Sequence, residues 1–188
     1  MTIDAYFTAT ARDLTAAASA GLEEPTAAAI EAIATAFEAR RPLLLCGNGG
    51  SAADAMHIAG ELVGRYKRER AGLMAIALGA DAAVTTAWSN DYDYDTVFER
   101  QVEALGAAGG VVWGLSTSGN SENVLRALTK GRAMGMTTIA LTGAGGGRLA
   151  AEADILIPVP STDTPRIQEL HTCVYHYICE QVELRVAG

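Results

Sequence analysis

Several things are scarce in this chain, and each scarcity removes a class of function. No apolar run approaches the ~20 residues that a membrane-spanning helix requires. The opening residues, Met1-Thr2-Ile3-Asp4-Ala5, lack the basic start and apolar core of a secretory signal. Cysteine occurs three times, at Cys46, Cys173 and Cys179, and never at CxxC spacing. So sparse and odd a set predicts buried or free thiols in a reducing compartment, with the cytoplasm as the expected location. Basic residues number 14 against 22 acidic ones, a net charge of −8. Nucleic-acid binding leans on Lys and Arg to neutralise phosphates, so this balance argues against it. The basic cluster of Arg65, Lys67, Arg68 and Arg70 reads as a solvated helix end, where cations suit the helix dipole.

What is present is a folded profile. At 188 residues, with 49% apolar side chains, the chain has room for one domain with a full core, spanning 1–188. Residues 1–40 read as two helices, with Ile30, Ile33 and Phe37 on one face of the second. These two either pack on the domain or form a bundle between subunits. Short apolar runs then alternate with helical stretches: Leu43–Cys46, Leu73–Leu78, Val111–Leu115, Thr137–Leu141 and Ile155–Val159, with a closing helix from about Pro165. Strands apolar on both faces belong to a parallel sheet covered by helices, so the pattern predicts a doubly wound, five-stranded α/β sandwich.

Two loops at strand ends carry anion-binding chemistry. In Gly47-Asn48-Gly49-Gly50-Ser51 the glycines permit close backbone approach, and Ser51 is a candidate helix N-cap. Ser116-Thr117-Ser118-Gly119-Asn120-Ser121 follows the third strand, with Ser121 as N-cap of a helix that Gly135 ends. Helix-start N–H groups joined by hydroxyls hold a phosphate without any lysine. Serine-rich turns also simply cap helices. The P-loop lysine is absent and the glycine spacing is not that of a dinucleotide fingerprint, which disfavours ATP and NAD.

The three histidines sit in two helical stretches that also carry carboxylates and amides. His57 and Glu61 stand at i and i+4, on one helix face. Gln168, His171 and His176 share the closing helix. Gln168 and His176 are eight residues apart, roughly 12 Å of helical rise, so one ion meets both only between turns or through two copies of the chain. His, Glu, Gln and His make a nitrogen and oxygen ligand set compatible with Zn²⁺. Spacing alone leaves His171 as a rival ligand.

Taken together, these segments resemble the phosphoheptose isomerases of the sugar isomerase (SIS) superfamily. The resemblance rests on Cys46 through His57, Ser89-Asn90-Asp91-Tyr92, Ser116 through Ser121 and Arg166-Ile167-Gln168-Glu169. It implies a flavodoxin-like fold and a homotetramer whose active sites are shared between subunits. It implies one Zn²⁺ per subunit on His57, Glu61, Gln168 and His176. The same likeness assigns substrate binding to Asn48, Gly49, Gly50, Ser51, Glu61, Asn90, Asp91, Ser116, Thr117, Ser118, Ser121 and Gln168. Glu61 and His176 are the implied acid/base pair. Thr162-Asp163-Thr164-Pro165 departs from relatives that carry an acidic residue near Pro165.

The expected reaction is conversion of sedoheptulose 7-phosphate to D-glycero-D-manno-heptose 7-phosphate through an enediol(ate). The alternative is a non-catalytic SIS module that binds sugar phosphates or a replication-initiation protein. Retention of the whole His57, Glu61, Gln168 and His176 set favours the enzyme, since binding alone needs no acid/base pair.

Overall fold

The computed structural model describes residues 1–187. Its elements run α1 (Ile3–Ala17), α2 (Glu23–Glu38), β1 (Leu43–Gly47), α3 (Gly50–Val63), β2 (Ala75–Ala77), α4 (Ala82–Asp91) and α5 (Val97–Leu105). The chain continues through β3 (Val111–Ser116), α6 (Glu122–Ala133), β4 (Thr137–Thr142), β5 (Ile155–Pro158) and α7 (Thr164–Val186). Short 3-10 turns occupy Tyr94–Thr96 and Gly147–Ala151. All strand pairings are parallel, in the order β2-β1-β3-β4-β5. This is the flavodoxin-like order, and it matches the doubly wound sandwich expected from the apolar runs.

Alternate residues of each strand supply two separate cores. Leu43, Leu45, Trp113, Leu115, Ile139 and Leu141 face α2, α3 and α7. Leu44, Cys46, Val112 and Ala140 face α5 and α6. Each large side chain so buried contributes roughly 1.5–3 kcal/mol before its ordering entropy is counted. Of the two leading helices, α2 buries Ala29, Ile33, Ala36 and Phe37 in the first core. By contrast α1 buries no residue and leaves Ile3 and Phe7 exposed. Its tie to the domain runs through α7: the Arg166 guanidinium lies 4.0 Å from the centre of the Tyr6 ring, and Tyr6 donates to Glu169 at 3.1 Å.

Three local expectations are corrected. The second strand is Ala75–Ala77, not Leu73–Leu78. At the near end Leu73 N–H is drawn to the Leu62 carbonyl, and at the far end the chain turns at Gly79, φ +81°. Ser51 lies inside the first turn of α3, buried, and Gly49 holds the N-cap position. The basic cluster is not wholly solvated either. Arg70 is 4% exposed, reaches the Glu61 and Gly64 carbonyls at the end of α3, and lies 3.3 Å from Glu183.

Glu183 is the deepest carboxylate in this region, 1% exposed. It accepts hydrogen bonds from Tyr66, Lys67 and Arg68 backbone N–H groups at 2.7–2.9 Å. Burial pushes its carboxyl upward, but those three donors and Arg70 outweigh it and hold the group below its ordinary value. A depressed pKa means that its stabilisation is present above the ordinary glutamate range and lost as pH falls through the folded value. Glu183→Ala is expected to cost about 3–5 kcal/mol in urea denaturation at pH 7, by stranding Arg70 and three donors. The gap to the parent should narrow as the pH is lowered below about 4.

Candidate active site

Ligands of open α/β sheets collect beyond the carboxyl ends of strands, where the strand order reverses. Here that point lies between β1 and β3, so the loops Gly47–Ser51 and Ser116–Ser121 stand side by side. A reciprocal amide pair joins them. Asn48 and Asn123 each donate to the other at 2.9 Å, and Tyr94 donates its hydroxyl to Asn48 Oδ1 at 2.8 Å. Asn48 thus spends its side-chain oxygen on the scaffold and its backbone carbonyl on Ser51 N–H at 3.0 Å, and keeps one amide hydrogen for a ligand.

In the second loop Ser116 Oγ and Ser121 Oγ lie 2.9 Å apart. Ser121 occupies the N-cap position of α6, as expected, but its hydroxyl faces Ser116 and makes no cap bond. Ser118 Oγ accepts from Asn120 N–H at 3.1 Å. The turn closes at Gly119, φ +66°, where an added Cβ would collide with the Gly146 carbonyl. Glu122 starts α6 beside this loop and is neutralised by Arg148 at 2.8 Å and Arg126 at 2.9 Å. Those partners, Arg148 foremost, hold its carboxyl below the usual range.

The second half of the site comes from α3 and α7, which pack side by side. His57 Nε2 lies 3.0 Å from Glu61 Oε1 and 3.5 Å from His176 Nε2. One ligand atom from each of His57, Glu61 and His176 falls within 4.8 Å of the others. On its far side His57 Nδ1 meets the Tyr175 hydroxyl at 3.0 Å, and that hydroxyl reaches Asp54 Oδ1 at 3.4 Å. His176 is held below the ordinary imidazole range by burial and by neighbouring His57, with Glu61 pulling the other way. Tyr66 rests beside His176, ring centres 5.7 Å apart.

Other expected residues lie elsewhere in the single chain. Gln168 packs its flexible amide against Gly50, where an added Cβ would push it aside, and Gly50 stands seven residues or ~10 Å of helix before His57. It therefore stands with the glycine loop and not with the His57, Glu61 and His176 trio. Asn90 and Asp91 end α4 on the surface, joined to each other at 2.9 Å, with Asp91 lining a groove between α4 and α5. Thr117 and Ser118 are partly or fully exposed on the hydroxyl loop. His171 does not join the trio. It is fully buried, neither ring nitrogen makes a well-formed hydrogen bond, and burial lowers it to about 4 against a weak pull from the Thr142 carbonyl. The sequence pattern assigns no role to Asp54, Tyr94, Asn123 or Tyr175. Only the i, i+3 spacing of Asp54 and His57 hinted at one.

Residues 6–143 match the SIS domain family. The chain is 56% identical over 151 residues to the phosphoheptose isomerase of Aquifex aeolicus, covering 80% of this chain and 79% of that one. Among solved structures it superposes on the phosphoheptose isomerase of Neisseria gonorrhoeae with a TM-score of 0.90 at 42% identity, covering 96% of both chains. The phosphoheptose isomerase of Francisella tularensis gives 0.92 at 35% identity, covering 98% of this chain and all of the other. A SIS domain is thus the class that fold and site define, and within it the chain belongs to the phosphoheptose isomerase family.

Two glycines in the loops after β3 and β4 make a sharp comparison. Gly145, φ +84°, has nothing within 4 Å of an added Cβ, whereas at Gly119 the obstacle is backbone. Gly145→Ala should cost only its left-handed strain, about 1–2 kcal/mol. Gly119→Ala should cost more and weaken binding of a sugar phosphate at least tenfold. Thermal unfolding and isothermal titration with the same ligand check both.

Proposed function

We propose that the chain interconverts sedoheptulose 7-phosphate and D-glycero-D-manno-heptose 7-phosphate through an enediol(ate), in the cytoplasm. Relatives at half identity or above that carry the name phosphoheptose isomerase support the reaction class. The observation that carries the chemistry is the convergence of His176 with His57 and Glu61 on α3, the helix that starts from the glycine loop.

The reaction moves one proton between adjacent carbons while the two oxygens exchange protons. Glu61 is partly exposed at the mouth of the trio and takes the carbon proton. His176, held below the ordinary imidazole range by burial and by His57, both donates and accepts at the oxygens. Each well-placed group contributes roughly 10²–10⁴-fold. The Ser116–Ser121 loop grips the phosphate at the other end, and fixing the sugar there is itself a source of rate. Asn48 and the glycines at 49 and 50 line the passage between the two.

The trio also fits a divalent metal. Two imidazole nitrogens and one carboxylate within 4.8 Å form a three-ligand set of the kind catalytic zinc sites use. In this reading His57, Glu61 and His176 hold one Zn²⁺ per subunit, with Gln168 as the fourth ligand. The ion would polarise the carbonyl and stabilise negative oxygen. Because Gln168 sits by Gly50 within one chain, the complete set requires either movement of its amide or a neighbouring copy. A homotetramer with shared sites answers this, and would bring Asn90 and Asp91 to the sugar as well.

Incubation of metal-defined protein with sedoheptulose 7-phosphate should yield the aldoheptose phosphate, and a chelator should suppress turnover. Glu61→Gln should lower kcat by about 10²–10⁴-fold while leaving sugar-phosphate binding within a few-fold. Full activity in that variant removes Glu61 from the carbon proton.

A further inference from the structure

The first N–H groups of α6 have no acceptor within the helix, and an N-cap side chain ordinarily takes one of them. Ser121 stands at the N-cap but turns its hydroxyl to Ser116 instead. The Val124 N–H is met by Asn123 Oδ1 at 3.0 Å. A backbone N–H can only donate, so this contact fixes which end of the Asn123 amide is oxygen. Asn123 is 2% exposed, so a reversed amide would strand that N–H away from water.

From that one contact the orientation of Asn48 follows. The Asn123 amide nitrogen faces Asn48 Oδ1 at 2.9 Å, and the Asn48 amide nitrogen faces Asn123 Oδ1 at 2.9 Å. Tyr94, in the turn after α4, donates to the same Asn48 oxygen at 2.8 Å. Turning the Asn48 amide over would set nitrogen against nitrogen and oxygen against oxygen, and both reciprocal bonds would be lost. With two donors on its oxygen and one amide hydrogen in the pair, the Asn48 side chain has a single free group, an N–H. The residue is partly buried between the two loops, and its backbone is pinned through the Ser51 N–H.

We propose that Asn123 and Tyr94 are positioning residues that hold the Asn48 amide in one orientation, so that the glycine loop offers a sugar-phosphate oxygen a hydrogen-bond donor and never an acceptor. The inference rests on the reading of the two loops as the sugar-phosphate site. Neither residue touches the ligand; both act through Asn48. The donor is neutral and already ordered before the ligand arrives, so binding does not have to immobilise a freely turning side chain. Because the anchor belongs to α6 and the amide it holds follows β1, the hydroxyl loop and the glycine loop act as one unit.

The test is isothermal titration of the full-length protein with sedoheptitol 7-phosphate, a sugar-alcohol phosphate that lacks the carbonyl and so binds without turnover. Tyr94 is 47% exposed, and Tyr94→Phe keeps its ring beside Phe98, so this variant should fold as the parent does. It should bind the probe about 3–10-fold more weakly, the weight of one hydrogen bond. Asn123→Ala should weaken binding at least as much, with a lower melting temperature because the Val124 N–H loses its acceptor. The deciding measurement is the double-mutant cycle with Asn48→Ala. In that background Tyr94→Phe should change the affinity by less than about twofold, since the amide it holds is gone. A residue that touches the ligand itself, or merely supports the fold, would keep its full effect. Parent-like binding by both Tyr94→Phe and Asn123→Ala, or a Tyr94→Phe effect undiminished in Asn48→Ala, overturns the proposal and leaves the sugar-phosphate reading standing. A parent that binds no probe removes that reading of the loops, and this inference with it.

Discussion

Parallel packing of α3 along α7 governs where each polar group of the site stands. Both helices lie on the same face of the sheet and advance together, so the sequence offset between contacting residues hardly changes. It is 118 for His57 with Tyr175, 119 for His57 with His176 and 117 for Tyr66 with Glu183. Gln168 against Gly50 keeps the same offset at the other end. Ala55, Ile58 and Leu62 of one helix and Tyr175, Ile178, Cys179 and Val182 of the other fill the space between them and the sheet. A slip of one residue would turn each side chain by about 100° around its helix and disperse the trio. The apolar seam thus sets a polar geometry that the polar residues alone would not maintain.

Each end of that seam has its own fastening, and the two differ in kind. At the amino end, Gly50 lets Gln168 sit where any side chain would intrude. At the carboxyl end, a buried carboxylate gathers three backbone N–H groups and Arg70, holding the segment that follows α3. Tyr66 belongs to that segment, so the same carboxylate that ties the loop also sets one wall beside His176. Fold stability and site shape are coupled through one residue, Glu183. The Asp54, Tyr175 and His57 row lies between the two fastenings.

The architecture was readable because strand burial on both faces leaves an unmistakable apolar run, as in Leu43–Cys46 and Val111–Leu115. Edge strand β2 was overextended, since Leu73 and Leu78 are apolar but serve α3 and the turn rather than the ladder. Ser51 was misplaced because N-cap preference favours serine, while this start demands the positive φ of Gly49. His57, Glu61 and His176 were legible as ligand types, and the first two also as a face. Only the family resemblance implied their joining; spacing could not show it, because it depends on two elements more than a hundred residues apart. The same holds for Asn123 and Tyr94, which fasten Asn48 across the switch point, and for His171, whose burial no local pattern announces.

The remaining tension is an acidic chain that takes a phosphorylated sugar. Surface charges more than about 8 Å away are screened at physiological salt, so the total of −8 weighs little on a phosphate in a loop. What matters is the first turn of α6, and there the nearest carboxylate, Glu122, is already engaged by Arg148 and Arg126. The loop is thereby left to its hydroxyls and the positive end of the helix. Holding the anion this way also suits the chemistry at the other end. A lysine on the phosphate would add a mobile cation near groups whose proton affinities must stay matched, whereas backbone dipoles and hydroxyls bring no net charge. Asn48 and Asn123 tie the two loops together, so in the proposed reaction a sugar held by its phosphate would meet Glu61 and His176 in a fixed orientation.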